Sequence, residues 1–161
     1  MTNTVTNIES LAPQLIERYL REHELKFLIN QDGQFLVHFC GDDVPDYRVG
    51  IGIEGSDAQI LTVLVSTETP FSETMRAPAE AFAAGWNRTK RWPKAYLDDD
   101  PHGRGLWIVG ENCFTLGSGV HRALLDELLD TSMLTGRQLV SDSAQALDGV
   151  EDFDTWLRHA G

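Results

Sequence analysis

The spacing of apolar residues changes several times along the chain, and each change marks a predicted element. Helical spacing appears first after Ser10, which we expect to be the N-cap, and Pro13 falls in the first turn, where a missing N–H costs nothing. The apolar positions of this segment are Leu11, Leu15, Ile16, Tyr19 and Leu20. The pattern predicts an amphipathic first helix with one buried face.

Alternating apolar residues follow, which is typical of strands with one buried face. Two such runs meet at Asp32-Gly33 and predict a β-hairpin, and a third run from Tyr47 to Ile53 ends at the turn residues 55–57. The next run, residues 60–65, is apolar almost without interruption. This predicts a strand that is central in its sheet or covered on both faces.

Helical spacing returns in the second half of the chain. The predicted elements are a second helix over residues 75–86, strands over 94–97 and 106–109, a third helix over 120–133, and a short terminal helix over 150–157. Ser118 is a candidate N-cap of the third helix, and we expect Gly136 to end or kink it. The terminal helix offers an apolar face that must dock on its own domain or on another subunit.

This order of elements predicts an α+β fold. We expect an antiparallel sheet with helices packed mainly on one face, plus a C-terminal helical extension. At 161 residues the chain fits one domain. The predicted organisation is a flexible N-terminus over residues 1–7, an α+β domain over 8–136, and an acidic helical extension over 137–161.

The formal net charge of −12 limits the classes of partner. It repels nucleic acid and anionic membrane surfaces at long range and favours basic or apolar partners. The first residues contain neither a positive region nor an apolar run, so we expect no signal peptide, no membrane anchor and a cytoplasmic location. Cys40 and Cys113 lie far apart, which favours reduced thiols over a disulfide or a metal pair.

Two segments could carry chemistry, but each has a simpler structural interpretation. Asp98, Asp99, Asp100 and His102 are hard metal ligands in one loop, yet Asp and Gly are also the residues that a turn between strands requires. Ser118 lies between two glycines and could act as a nucleophile, but helix capping explains it equally well. We therefore predict no catalytic residue, no cofactor-binding residue and no metal ligand.

A pocket near His38 and Cys40 is a further alternative. Both residues are out of phase with the apolar positions of their strand, so they should share its other side. They either line a pocket or belong to a half-exposed sheet face, and the sequence is compatible with both.

Cationic and aromatic residues are concentrated in residues 86–96, as on surfaces that bind nucleic acid. The cations are Arg88, Lys90, Arg91 and Lys94. However, Trp86 is on an apolar helical stripe and Tyr96 is in an alternating strand, so we expect both rings in the core. We also expect Arg88 or Arg91 to pair with the nearby residues 98–100, and no nucleic-acid binding.

The same segment resembles the YbjN family, whose members carry a W-N-x-x-x-R/K-x-x-K-A-Y-like sequence between a helix and a strand. The matching residues, with a structural or partner-binding role, are Trp86, Asn87, Lys90, Arg91, Lys94, Ala95 and Tyr96. The order of predicted elements agrees with the family from about Ile8 to Leu134.

The resemblance implies a fold similar to that of type III secretion chaperones and a regulator of bacterial sensory transduction with no established reaction. It therefore implies a non-enzymatic, chaperone-like adaptor or regulatory protein, which binds a protein partner and forms a homodimer. The alternative is a small-molecule-binding protein or an enzyme with a pocket near His38 and Cys40.

Overall fold

The computed structural model describes the backbone of residues 7–159 and the side chains of residues 7–148. The strands are β1 (Ile8–Glu9), β2 (Leu28–Ile29), β3 (Phe35–Phe39), β4 (Tyr47–Glu54), β5 (Ile60–Thr67), β6 (Lys94–Asp99), β7 (Leu106–Thr115) and β8 (Val120–His121). The helices are α1 (Pro13–Glu22), α2 (Arg76–Thr89), which follows a short 3₁₀ turn, and α3 (Arg122–His159). The predicted α+β class is confirmed.

Six strands form one antiparallel sheet in the order β2-β3-β4-β5-β7-β6, and β1 pairs separately with β8. The register pairs Val49 with Val65 and Val63 with Asn112. Paired residues lie on the same face of the sheet, and successive residues of a strand alternate between its two faces. Strand β5 has a neighbour on each side, which confirms its predicted central position.

All three helices pack on one face of this sheet. The apolar side of α1 and the first half of α3 pack with residues of β3, β4 and β5. Helix α2 and the second half of α3 pack with residues of β6 and β7. Trp107 and Val109 are buried on the other side of the sheet and belong to neither cluster. Among the described residues, that other side is therefore a helix-free face, which carries Leu36, Arg48, Leu64, Tyr96 and Trp107.

Helix α3 lies directly against the middle of the sheet because two glycines make room for it. A Cβ atom on Gly136 would lie 2.5 Å from Cγ2 of Val65. On β7, a Cβ atom on Gly110 would lie 2.6 Å from Cδ2 of Leu139 and 2.7 Å from Cγ of Pro93. The prediction that the helix ends at Gly136 is wrong, since α3 continues through this residue and the glycine serves close packing instead.

Both predicted serine caps are also wrong. Helix α1 begins at Pro13 with Ala12 at the N-cap position and no side-chain cap, so Ser10 lies outside it. Helix α3 begins four residues after Ser118, and its first turn is capped by His121, whose Nδ1 accepts a hydrogen bond from the Leu124 N–H at 3.0 Å. Pairing of β8 with β1 keeps residues 120–121 extended, so the helix starts only after them.

The predicted short terminal helix is instead the continuation of α3, whose backbone is helical to His159. The predicted docking of the terminal helix involves side chains outside the described residues, those of Val150, Phe153, Trp156 and Leu157. The N-terminal segment predicted to be flexible, residues 1–7, also lies outside them except for residue 7. The boundary between residues 136 and 137 falls inside α3 and stays a prediction.

A pair of Gly→Ala substitutions tests the close approach of α3 to the sheet. Alanine favours a helix by up to about 1 kcal/mol over glycine, and Gly85 of α2 has no atom within 4 Å of its Cβ position. We expect Gly85→Ala to raise the free energy of unfolding by about 0.5–1 kcal/mol. Gly136→Ala should lower it by about 1–2 kcal/mol because the methyl group overpacks against Val65. Urea denaturation measures both, and stabilisation by Gly136→Ala would contradict the packing.

Candidate functional site

The junction between α2 and β6 is held by Trp86. Its ring is 5% exposed and packs with Ala83, Ala95 and Leu139, as predicted for a core residue. The indole Nε1–H donates a hydrogen bond of 2.9 Å to the carbonyl oxygen of Pro93. Trp86 thus anchors the start of β6 to the end of α2.

Asn87 fixes the outer edge of β6. Its amide accepts a hydrogen bond from the Ala95 N–H and donates one to the Ala95 carbonyl oxygen, each at 2.8 Å. Strand β6 is the last strand of the sheet, so these two backbone groups have no strand partner on that side. The side chain of Asn87 therefore closes the sheet edge at the position where another strand would otherwise bind.

Three cations of the junction contact aromatic rings of the same segment, and one of them also contacts a carboxylate on β7. The cationic groups of Lys90 and Arg91 lie 5.7 Å and 5.8 Å from the ring centroids of Trp86 and Trp92. Lys94 Nζ lies 5.2 Å from the ring centroid of Tyr96 and 3.5 Å from Oε1 of Glu111. These contacts favour a structural role for the motif, and its role in partner binding stays a proposal.

Two predictions about this segment are wrong. Tyr96 pairs with Val109 and is half-buried on the helix-free face, because it is in the opposite phase to the core residue Ala95. The acidic loop pairs with other arginines than the predicted Arg88 and Arg91: Asp99 contacts Arg76 and Asp100 contacts Arg104. Arg76 lies 23 residues before Asp99, whereas Arg104 lies only four residues after Asp100 in the same turn.

Asp98 and Asp99 are the last two residues of β6, and residues 100–105 form the turn to β7. The buried carboxylate of Asp100 accepts hydrogen bonds from Nε and Nη2 of Arg104 at 2.9 and 3.0 Å, and from the Arg104 N–H at 3.0 Å. Hydrogen bonding to the Arg104 side chain lowers the pKa of Asp100 to about 2. This carboxylate therefore organises the turn.

His38 and Cys40 are both exposed, as expected for the side of the strand away from the core. His38 contacts Glu68, and the carboxylate of Asp46 raises the pKa of the Cys40 thiol, with smaller contributions from burial and from Glu68. A raised pKa disfavours the thiolate that a nucleophilic cysteine needs. A cavity does lie on the helix-free face, but neither His38 nor Cys40 lines it.

That cavity has a volume of about 230 Å³. Leu36, Leu64 and Val109 supply apolar walls, and Arg48 and Trp107 supply hydrogen-bond donors. The position of these residues is visible in the sequence only as an irregularity, since Arg48 and Gly50 occupy the non-core phase of an otherwise apolar strand. Local sequence patterns therefore do not identify these residues as a site.

A second concave surface lies between the β3–β4 loop and α3. Three adjoining cavities of about 150, 310 and 440 Å³ share lining residues in series along α3. We call this surface the acidic groove, because its lining includes the carboxylates Asp42, Asp43, Asp46 and Asp148. Local sequence patterns do not reveal this groove, since Asp148 is about 100 residues away from the loop.

None of the helices in the described part of the chain is both long enough and apolar enough to cross a membrane.

The contacts of Asn87 predict a structural cost for its removal. Asn87→Ala should lower the free energy of unfolding by about 1–3 kcal/mol, because two backbone groups of Ala95 lose their partners. Arg88→Ala is the matched control on the same helical turn, and we expect a change of at most about 0.5 kcal/mol at this exposed position. Equal effects of the two variants in chemical denaturation would show that Asn87 does not stabilise the sheet edge.

Comparison with known proteins agrees with this fold. The model of the YbjN family, described as "Putative bacterial sensory transduction regulator", matches residues 12–142. The structure is similar to the crystal structure of YbjN from E. coli, described as "a putative transcription regulator", with a TM-score of 0.69 and 13% identity over 87% of this chain and 95% of that chain.

An uncharacterized protein from Methanothermobacter thermautotrophicus aligns with a TM-score of 0.44 and 13% identity, over 83% of this chain and 99% of that one. The comparison with curated proteins gives no match. Since the family model covers most of its length, the chain belongs to the YbjN family.

Proposed function

We propose that this protein is a non-enzymatic regulator that binds a basic segment of a partner protein in the acidic groove. The family is described as one of sensory transduction regulators, which act through partners. The observation that carries the proposal is a long groove with an apolar floor and uncompensated carboxylates. Such a surface complements a peptide that has basic and apolar residues.

The charge of the groove favours a basic occupant. None of the ion pairs among the described residues involves Asp42, Asp43, Asp46 or Asp148. Arg137 is the cation that lines the groove beside them. The raised pKa of the Cys40 thiol, caused first by Asp46, reflects the same negative potential. A carboxylate that forms no ion pair among the described residues can pair with a cation of a partner.

The floor of the groove supplies apolar contacts. Val44 and Ala144 line its middle, and Phe71 lines the far end. Leu134 lies at the near end and is 70% exposed, which is unusual for a large apolar side chain on a helix that otherwise packs in the core. Apolar side chains of a bound segment would cover these residues, and the acidic rim would set its charge.

The proposal includes a homodimer and a chaperone-like mode of action. Edge strand β2 supports dimer formation, because Leu28 and Ile29 are 65% and 57% exposed and one side of the strand has no neighbour among the described residues.

The non-enzymatic character is supported by the thiols. Burial and Glu111 raise the pKa of Cys113, so this residue resembles Cys40 in being a poor nucleophile.

The similar structure from E. coli is described as "a putative transcription regulator", which would act on nucleic acid. Binding of nucleic acid by this chain has less support than binding of a basic peptide. The net charge of −12 repels a polyanion, and Lys90, Arg91 and Lys94 already contact rings of their own segment. We expect no binding of duplex DNA.

Fluorescence anisotropy with a labelled amphipathic peptide of leucine and lysine tests the groove. We expect saturable binding by the full chain that weakens strongly as salt is added, and no binding of the matching leucine–glutamate peptide or of duplex DNA. A variant with Asp42→Asn, Asp43→Asn, Asp46→Asn and Asp148→Asn should bind about tenfold more weakly, since each exposed ion pair contributes about 0.2–1 kcal/mol.

The control variant loses four exposed carboxylates elsewhere, at Asp32, Asp57, Glu80 and Glu127, and therefore has the same net charge. It should retain most of the affinity. Equal weakening in both variants would reduce the effect to overall charge and refute the groove as the site. Sedimentation of the free protein should show a dimer, and a monomer at all concentrations would remove that part of the proposal.

A further inference from the structure

The cavity on the helix-free face is built by small residues in the middle of a sheet. Gly50 on β4 and Ser66 on β5 line the cavity, together with larger residues of the neighbouring strands. Gly50 is not required for packing, because a Cβ there would meet only Cδ2 of Leu36, at an ordinary 3.6 Å. The hollow is therefore a feature of the surface and does not serve the core.

Arg48 and Trp107 both line this cavity, and each carries a hydrogen-bond donor without an acidic partner among the described residues. Trp107 is only 8% exposed, and its Nε1 atom is buried without a hydrogen-bond partner among the described residues. The guanidinium of Arg48 lies 5.3 Å from the Trp107 ring centroid. Its Nε donates a hydrogen bond of 3.3 Å to the neutral hydroxyl of Ser66, and no carboxylate pairs with it in the described part of the chain.

The N–H of Trp107 and the guanidinium of Arg48 both bind a hydrogen-bond acceptor, and the cation favours one with negative charge. Buried polar groups in proteins almost always have partners, so a lone Trp N–H needs an explanation. Arginine binds carboxylates through two parallel hydrogen bonds. A carboxylate is therefore the group that satisfies both residues, and the apolar walls fit a hydrocarbon or an aromatic ring.

We propose that this cavity binds a small organic carboxylate with an apolar body. The carboxylate accepts hydrogen bonds from Arg48 and from Nε1 of Trp107, and the apolar body lies between Leu36, Leu64 and Val109. Arg48 leaves the Trp107 ring to reach the ligand, since a side chain held by one hydrogen bond and a ring contact changes rotamer readily. This site is separate from the acidic groove and does not depend on the function proposed for it.

The size and charge of the cavity narrow the class further. Its volume of about 230 Å³ is below the roughly 300–1,000 Å³ of pockets for drug-sized ligands, so the ligand is small. Asp98 also lines the cavity, beside Trp107 on the neighbouring strand. Its carboxylate opposes a second negative charge, which favours a monoanion over a dicarboxylate.

Isothermal titration of the full chain with phenylacetate and hexanoate tests the proposal, and their uncharged amides are the matched controls. We expect saturable binding of at least one acid and binding of its amide that is about tenfold weaker or absent. Absence of binding for both acids, or equal binding of acid and amide, would overturn the proposal.

Substitutions then locate the site. Arg48→Gln should weaken binding of the acid about tenfold or more. Trp107→Phe should weaken it less, since it removes one neutral donor and puts a smaller aromatic ring in place of the indole. Gly50→Leu should abolish binding by filling the cavity, whereas Gly50→Ala should largely preserve it, and far-UV circular dichroism checks that each variant is folded. Arg88→Gln, which removes an exposed cation outside both the cavity and the acidic groove, should leave binding unchanged.

Asp98→Asn tests whether the carboxylate of the bound acid lies near Asp98. Removal of the Asp98 carboxylate should tighten binding of the acid, because it relieves a repulsion. Weaker binding of the acid after Asp98→Asn would contradict the proposed position of its carboxylate. Unchanged affinity in both Arg48→Gln and Gly50→Leu would show that the acid binds elsewhere and would refute the site, while the peptide titration of the groove would be unaffected.

Discussion

The close contact of α3 with the middle of the sheet is the constraint on which the rest of the structure depends. Gly136 lets the helix approach Val65, and Gly110 lets Leu139 and Pro93 approach β7. Through this contact the helix contributes to both apolar clusters, one with α1 and one with α2. All three described helices thereby pack on one face, so no described helix covers the other face or its cavity.

This one-sided arrangement also explains where the two proposed sites lie. The acidic groove follows α3 where the helix passes the β3–β4 loop, and the small cavity lies on the face that no described helix covers. The segment that resembles the family motif has a different character. Its clearest contacts, those of Trp86 and Asn87, join α2 to the edge strand and close that edge. The most recognisable sequence is thus part of the framework that holds the sheet in place.

Local patterns predicted much of the fold. Alternation predicted the hairpin around Gly33 and strand β4, and the apolar run over residues 60–65 predicted β5. Helical spacing placed Trp86 in the core. The failures involve contacts between distant residues. Gly136 looked like a helix end because its partner, Val65, is distant in sequence, and Ser118 looked like a cap because the pairing of β8 with β1 leaves no local signal. Both proposed sites were missed for the same reason, since strands and loops far apart in sequence form them.

The central claim, that helices cover one face of the sheet and leave the other open, is tested most directly with two leucines of β5. Leu61 is fully buried on the covered face and Leu64 is half-buried on the helix-free face. By chemical denaturation of the ligand-free protein, Leu61→Ala should cost about 2–5 kcal/mol, as for a buried leucine, and Leu64→Ala at most about half as much. An equal or larger loss for Leu64→Ala would mean that the second face is also packed, and would contradict the account.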